Sequence, residues 1–535
     1  MPDPASLRLA SRDRLALLIL VALTVVAVSL GIWSRLSLLG AGSLWLDELW
    51  TLDAVSRSFK EMIGARLVSD SKPPLWSAIT WIWLRVAGTY DPGTMRLLPL
   101  AFSLAAIAAP VLGAVRLPSL RPTMLVLAAL TALSLFPLQF AVELRSYSMM
   151  IAFGTAATVV WAGLLTGDLP RRASWIFLFT LTGALAGFAH YYGHLIYLGE
   201  LIALVVTWAP ARPRQPLAIL LGWGGLSLAP VTVWYVLTSR WFPGEPVASA
   251  PSWSTIQTWL AYAFGPVSNV LANHAPGYPY PDGPFGVETI LLALIAASIL
   301  GAAALSLRIR VPAQPPGPTV LVGGSALFVV ATGLVGAWVA SVVLPPSMNY
   351  RNLAALLPTL FLAVACASTL ARSERRNCWT GAPVVAVSVL ATVAMIGQFG
   401  VASFTPPWQA QAGYRATVKS LLASTHEDPP STLIGLKLPW DWHGEWDAAV
   451  RAELGEPPAE SDDPAPLDVR WILDVQELRT SGLPASPLIV FTDANDQRSA
   501  DLFTWVEETR VGCEPMVLGG PGFGAISLLR CPADG

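Results

Sequence analysis

Charge is scarce in this chain of 535 residues. Asp, Glu, Lys and Arg together make up 13%, against roughly a quarter in ordinary soluble proteins. The shortage is concentrated in residues 15–402, where apolar runs of about 20 residues recur between short polar breaks, a length that matches a hydrocarbon core about 30 Å thick. A single large soluble core would not produce so many such runs in series. The net charge of −2 gives no basic footprint for nucleic acid. Cysteine is also sparse. The four present, Cys366, Cys378, Cys513 and Cys531, show no CxxC or zinc spacing. Internal repeats are missing as well. What remains is a multi-span membrane protein whose polar residues at membrane depth gather towards one face.

The first run, Leu15 to Trp33, follows Arg8, Arg12 and Arg14. It is long for the apolar region of a signal peptide and more spans follow, so it reads as an uncleaved first helix. Spans are expected near 15–36, 96–115, 123–139, 149–166, 174–190, 193–209, 217–238, 287–307, 319–344, 352–371 and 380–402. That makes an α-helical polytopic bundle of about 11 transmembrane helices. One set of breaks holds Arg116/Arg121, Arg171/Arg172, Arg212/Arg214, Arg308/Arg310 and Arg372/Arg375/Arg376. Cytoplasmic loops carry the excess of Lys and Arg, so this set, with the N-terminus, is expected inside. Residues 37–95, 140–148, 190–192, 239–286, 345–351 and the tail after 403 then face out. Residues 75–88 are apolar but short, and counting them as a span would put every arginine pair outside. They read as a juxtamembrane or re-entrant helix on the outer face.

Two domains follow. Residues 1–402 form the membrane module, with a first outer loop at 37–95 and a large one at 239–286. Residues 403–535 carry acidic clusters, frequent prolines and short apolar runs alternating with helical patterns, which suits a small α/β extracytoplasmic domain. Cys513 and Cys531 are the candidate disulfide there, since oxidising compartments permit one.

Several polar groups on the expected outer face could carry chemistry. Asp47 and Glu48 lie among Trp45, Leu46, Leu49 and Trp50. They read either as the wet face of an interfacial helix or as carboxylates in a partly dry site, where a raised pKa suits a general base. Lys72 precedes Pro73 and Pro74, which break any helix and fix the chain; the lysine either snorkels or contacts a phosphate. Glu143 and Arg145, with Tyr147, sit at the mouth of a span. The arginine either pairs locally or binds an anion through two parallel hydrogen bonds. Tyr350 and Arg351 stand at a second such mouth. His190 and Tyr191 occupy a third, where tyrosines also fit an interfacial aromatic belt. Lysine and arginine on one membrane face suit a phosphorylated lipid headgroup, and carboxylates beside them suit proton removal from an acceptor hydroxyl.

The order of these elements, Asp47-Glu48, Lys72-Pro73-Pro74-Leu75, Arg96-Leu97-Leu98-Pro99 and Glu143-Leu144-Arg145-Ser146-Tyr147, resembles that of the GT-C glycosyltransferases. The similarity is to relatives of the protein O-mannosyltransferases and lipid A aminoarabinose transferases, and it covers residues 1 to about 400. The resemblance implies a donor sugar on a polyprenyl phosphate and inverting transfer on the extracytoplasmic face. It implies Asp47 as base with Glu48 as its neighbour, and Lys72, Arg145 and Arg351 as ligands of the lipid phosphate, oriented by Tyr147 and Tyr350. Glu143, His190 and Tyr191 fall to the acceptor side or to support. Leu49-Trp50 follows the acidic pair where the family usually has a small residue and then arginine or tyrosine, a departure on the acceptor side. Some GT-C enzymes hold a divalent metal with carboxylates, and no ligand set stands out here. The acceptor implied is a glycan, lipid or protein hydroxyl or phosphate at the cell envelope, and the location is the inner or plasma membrane. Other classes weighed against this are a transporter or flippase of a lipid-linked sugar, which predicts repeats and broken helices at the midplane, an O-antigen ligase or polymerase, and a structural or receptor protein.

Overall fold

A computed structural model describes residues 4–39, 44, 46–68, 72–211, 214–241, 253–264, 317–343, 349–370, 382–399, 432–436, 469–472, 475–481, 483, 487–493, 497–510, 512–518 and 526–532. The protein is a mostly helical, multi-pass membrane protein. Its chain packs as two compact units. The first comprises Met1–Leu36, Ile63–Ala78 and Pro99–Ser403; the second comprises Ser37–Met62, Ile79–Leu98 and Phe404–Gly535.

Apolar helices dominate the first unit: α1 (Pro4–Leu38), α5 (Leu97–Arg116), α6 (Arg121–Leu133), α7 (Leu135–Phe140), α8 (Tyr147–Thr166), α9 (Ala173–Ala189), α10 (Gly193–Trp208), α11 (Arg214–Trp241), α12 (Trp253–Ala263), α13 (Pro318–Val343), α14 (Leu357–Leu370) and α15 (Ala382–Phe399). Among the described residues, six segments are long and apolar enough to cross a membrane by themselves, and several shorter apolar helices accompany them. The expected span at 287–307 lies outside the described residues. Of the long helices α8 is the most enclosed, with 83% of its apolar window buried, against 22% for α1 and 17% for α11. Those two expose leucine, valine and tryptophan along one face, such as Leu18, Val25, Trp223 and Val233, as lipid contact requires. Gly167, at φ +81°, closes α8 in a left-handed cap that a side chain would strain.

The sequence predicts one helix over 123–139. Two are found, because Ser134 is extended (φ −63°, ψ 142°). Three residues later Pro137 has no N–H to offer the carbonyl of Leu133, so the ladder cannot run through. The expected span at 352–371 likewise opens as a 3-10 turn, Asn352–Leu356, before α14.

In the second unit, α2 (Leu46–Ser56) and the first turn of α3 (Phe59–Val68) belong with most of α4 (Leu75–Ala87). Ser58 and Glu61 form a capping box at the start of α3: the Ser58 amide donates to Glu61 Oε2 (3.0 Å) and the Glu61 amide to Ser58 Oγ (3.3 Å). At 13 residues α4 is about 20 Å long, shorter than the hydrocarbon core. Its Arg85 donates to Val55 O (3.2 Å) and Arg57 O (3.0 Å), satisfying carbonyls at the end of α2. A turn at Pro92–Met95, capped by Asp91 on the Thr94 amide (2.8 Å), leads into α5.

Residues after 404 supply a mixed five-stranded sheet. It consists of β1 (Thr432–Leu436), β2 (Val469–Ile472), β3 (Leu488–Asp493), β4 (Glu514–Leu518) and β5 (Ile526–Cys531), in the order β2-β1-β3-β5-β4. β1 pairs in parallel with β2 and β3, while β5 is antiparallel to β3 and β4. Helices α16 (Val475–Ser481) and α17 (Gln497–Thr509) connect these strands. Leu478, Leu502 and Val506 pack with Ile434, Leu488, Val490 and Leu529 in one core. The helical pattern at 412–423 lies outside the described residues. Cys513 and Cys531 are disulfide-bonded.

Candidate active site

Two loops converge at one end of the first unit. After the break at Ser134, the short α7 runs into a buried turn, residues 141–146, that begins α8. This turn presents Glu143, fully buried, and Arg145, 6% exposed. The second loop, residues 349–352, precedes α14. Two contacts zip the loops together. Arg351 Nη1 lies 3.8 Å from Glu143 Oε1, and Tyr147 Oη donates to Asn352 Oδ1 at 3.5 Å. The Asn349 side chain accepts the Asn352 amide (2.9 Å) and fixes the turn.

A row of rings lines this end. Tyr262 stacks on Tyr350 (5.2 Å) and on Phe136 (4.9 Å), Phe136 on Phe140 (5.4 Å), and Phe140 on Tyr147 (4.5 Å). His190 lies against Tyr147 (5.4 Å) and Tyr192 (5.9 Å). Ser134 Oγ donates to the carbonyl of Ala263 (2.8 Å), so α12 is anchored to the helix break itself. Six sequence candidates thus come together: Glu143, Arg145, Tyr147, His190, Tyr350 and Arg351.

Tyr191 and Lys72 belong to the same unit, and both meet α11. Tyr191 meets Tyr235 edge-on (5.5 Å) and Thr238 Oγ1 through its hydroxyl (3.4 Å). The Lys72 carbonyl accepts Trp234 Nε1 (3.1 Å), and the prolines that follow are buried.

Asp47 and Glu48 belong to the second unit, in the first turn of α2. An acidic residue is favourable there, at the positive end of the helix dipole. Glu48 is wholly buried and accepts two hydrogen bonds from Arg96, at 2.9 and 3.3 Å. The Arg96 side chain is itself 2% exposed. Two carboxylates adjacent in sequence therefore differ in setting. Glu48 is locked in a buried ion pair, while Asp47 is half-buried. Among the described residues, no three His, Cys, Asp or Glu side chains gather as a metal site would require.

Sequence reasoning alone missed Arg96 as the partner of Glu48, and also the rings of Phe136, Phe140 and Tyr262. Arg96 carried a signal, as a charged residue opening an apolar helix before proline. The phenylalanines carried none, since a lipid-facing helix would look the same.

No family model matches the sequence, and no curated protein matches it. Solved structures do resemble the fold. ArnT from Cupriavidus metallidurans in the apo state is 13% identical and superposes with a TM-score of 0.51, over 95% of this chain and 97% of that one. The same protein bound to undecaprenyl phosphate gives 0.48 over the same shares. The archaeal oligosaccharyltransferase AglB from Archaeoglobus fulgidus, in complex with an inhibitory peptide and a dolichol phosphate, gives 0.41 at 12% identity, over 90% of this chain and 70% of that one. The apo ArnT superposition establishes a GT-C type fold for this chain.

Proposed function

We propose that this protein is a membrane glycosyltransferase that moves a sugar from a polyprenyl phosphate to an acceptor hydroxyl or phosphate on the extracytoplasmic face, with inversion. The observation that carries the reading is the zipped pair of loops that brings Arg145 and Arg351 to one end of the bundle. The exposed Arg116, Arg121, Arg171, Arg172 and Arg214 lie at the opposite ends of the same helices. The arginine-rich joints mark the cytoplasmic side, so the zipped loops face out. ArnT, whose apo form has this fold, has also been seen with undecaprenyl phosphate, and the same class of lipid phosphate is assigned to this chain's donor.

Arg145 and Arg351, with Lys72, hold the lipid phosphate through charge-assisted hydrogen bonds. Buried Glu143 fixes the guanidinium of Arg351, and Tyr147 and Tyr350 orient the headgroup. A phosphate is a good leaving group once its developing charge is met by fixed cations, so no strong general acid is needed. Asp47 takes the proton from the acceptor hydroxyl. The acceptor oxygen bonds to the anomeric carbon from the face opposite the phosphate, the carbon–phosphate-oxygen bond breaks, and the polyprenyl phosphate departs with both electrons. Glu48, tied to Arg96, holds the first turn of α2 and thereby the position of Asp47. His190 and Tyr191 support the acceptor side.

Purified protein in lipid vesicles, supplied with a polyprenyl-phosphate sugar, tests the assignment. Asp47→Asn should abolish transfer while donor binding and the thermal unfolding profile stay unchanged. Undiminished turnover in that variant would remove Asp47 as the base.

A further inference from the structure

Among the described residues, Arg35 is the most enclosed cation of the membrane bundle. It sits in the last turns of α1 with no exposed surface. A charged side chain at such a depth is costly and needs a compensating role. Among the described residues, every acceptor it reaches is an uncharged oxygen. Nη2 donates to Thr131 O (3.1 Å), and Nη1 to Ala132 O (2.7 Å) and to Gly31 O on its own helix (2.9 Å). Nε donates to Ser103 Oγ (2.8 Å), and that hydroxyl in turn donates to Pro137 O (3.0 Å).

These acceptors are not scattered. Thr131 and Ala132 are in the last turn of α6, whose carbonyls lose their usual donors because the chain is extended at Ser134. Pro137 is in α7, beyond the break. The guanidinium therefore holds one side of the break directly and the other through Ser103. Its charge also sits at the negative end of the α6 dipole. Gly31 lets α1 come this close, since a Cβ there would lie 2.5 Å from Ala132 O. The segment that leaves the break, α7 and the turn after it, carries Phe136, Phe140, Glu143 and Arg145 and leads into Tyr147 at the start of α8.

We propose that Arg35 is a positioning residue for the lipid-phosphate clamp: by fixing the break at Ser134 it sets the direction of α7 and hence the place of Arg145. This rests on the function proposed above, so the test has two independent readouts. One is binding of undecaprenyl phosphate in detergent; the other is amide hydrogen exchange over residues 135–146. Lysine in place of Arg35 keeps the charge but cannot span both sides of the break. Arg35→Lys should exchange faster in 135–146 than wild type, with the rest of the bundle unchanged. It should also bind the lipid phosphate on the order of 10-fold more weakly, as for residues coupled in one network. Ser103→Ala, which leaves the guanidinium in place, should shift both readouts in the same direction by less, and it keeps the comparison available if Arg35→Lys does not fold. Combined with Arg145→Ala, the Arg35→Lys change should cost no further affinity, because Arg35 acts through the segment bearing Arg145. Exchange over 135–146 that is unchanged in both variants, or fully additive losses in the double variant, would overturn the proposal. Failure of the wild type itself to bind the lipid phosphate would count against the functional reading instead, and the exchange comparison would still decide the role of Arg35.

Discussion

Arg145 and Arg351 are alike in sequence and differ in surroundings. Arg351 neutralises buried Glu143, so its removal affects both the proposed clamp and a buried carboxylate. Hydrogen bonds to charged groups contribute about 1.5–3 kcal/mol. Arg145→Ala and Arg351→Ala should each weaken donor binding by about 10- to 100-fold, measurable by titration with a polyprenyl phosphate. Arg351→Ala should also lower the unfolding temperature more than Arg145→Ala does. Unchanged affinity in both variants would take them out of the clamp. The buried pair of Glu48 and Arg96 gives a second prediction. Removing one partner of such a pair costs about 3–5 kcal/mol, whereas an apolar replacement of both is often neutral. Arg96→Met alone should sharply lower thermal stability in detergent, and Glu48→Leu/Arg96→Met should recover much of it. The acidic pair was visible in the sequence because two carboxylates stand among tryptophans and leucines. Which of the two is structural was not visible, since the deciding arginine is 48 residues away.

Among elements, the apolar runs were legible because lipid demands length and hydrophobicity, and both are written locally. The break at Ser134 was not, although Pro137 is plain to see. A proline in an apolar run signals a kink but does not say which carbonyls are freed or what satisfies them. That depends on Arg35 and Ser103, from helices distant in sequence. Strand β4 escaped notice too, because Glu514-Pro515 breaks the alternation expected of a strand. The capping box of α3 makes a pH-dependent prediction. Hydrogen bonding from Ser58, side chain first and backbone amide second, holds the Glu61 carboxyl below its usual range. A carboxylate with a depressed folded pKa stabilises above its unfolded pKa, and that contribution fades as the pH falls through the folded value. Exchange of the amides at 59–62 should therefore accelerate relative to the rest of α3 as the pH falls below the ordinary glutamate range. Glu61→Gln should remove most of that dependence; an identical pH response would contradict the assignment.

For the whole molecule, packing does not follow the simple division of membrane part and tail. Most of the first loop's helices group with the segment after 404, which no local sequence feature announces. The disulfide in that segment closes a separation of 18 residues, and such a bond is worth about 3 kcal/mol. Cys513→Ser/Cys531→Ser should make the sheet more sensitive to protease under non-reducing conditions. The disulfide accords with an oxidising compartment, and so with the proposed outward orientation. An alkaline phosphatase fused after residue 535 should be active, and one fused within 167–172 inactive. The reverse pattern would invert the topology.

Under the proposed function the protein breaks a sugar–phosphate bond and does not merely carry a lipid-linked sugar across the bilayer. The direct measurement is mass spectrometry of the lipid and acceptor fractions after incubating purified protein, in vesicles, with a polyprenyl-phosphate sugar and an envelope extract as acceptor. A transferase should yield free polyprenyl phosphate and an equal amount of acceptor heavier by one sugar, both lost in Asp47→Asn. Intact donor recovered from the opposite leaflet, with no free polyprenyl phosphate, would contradict it.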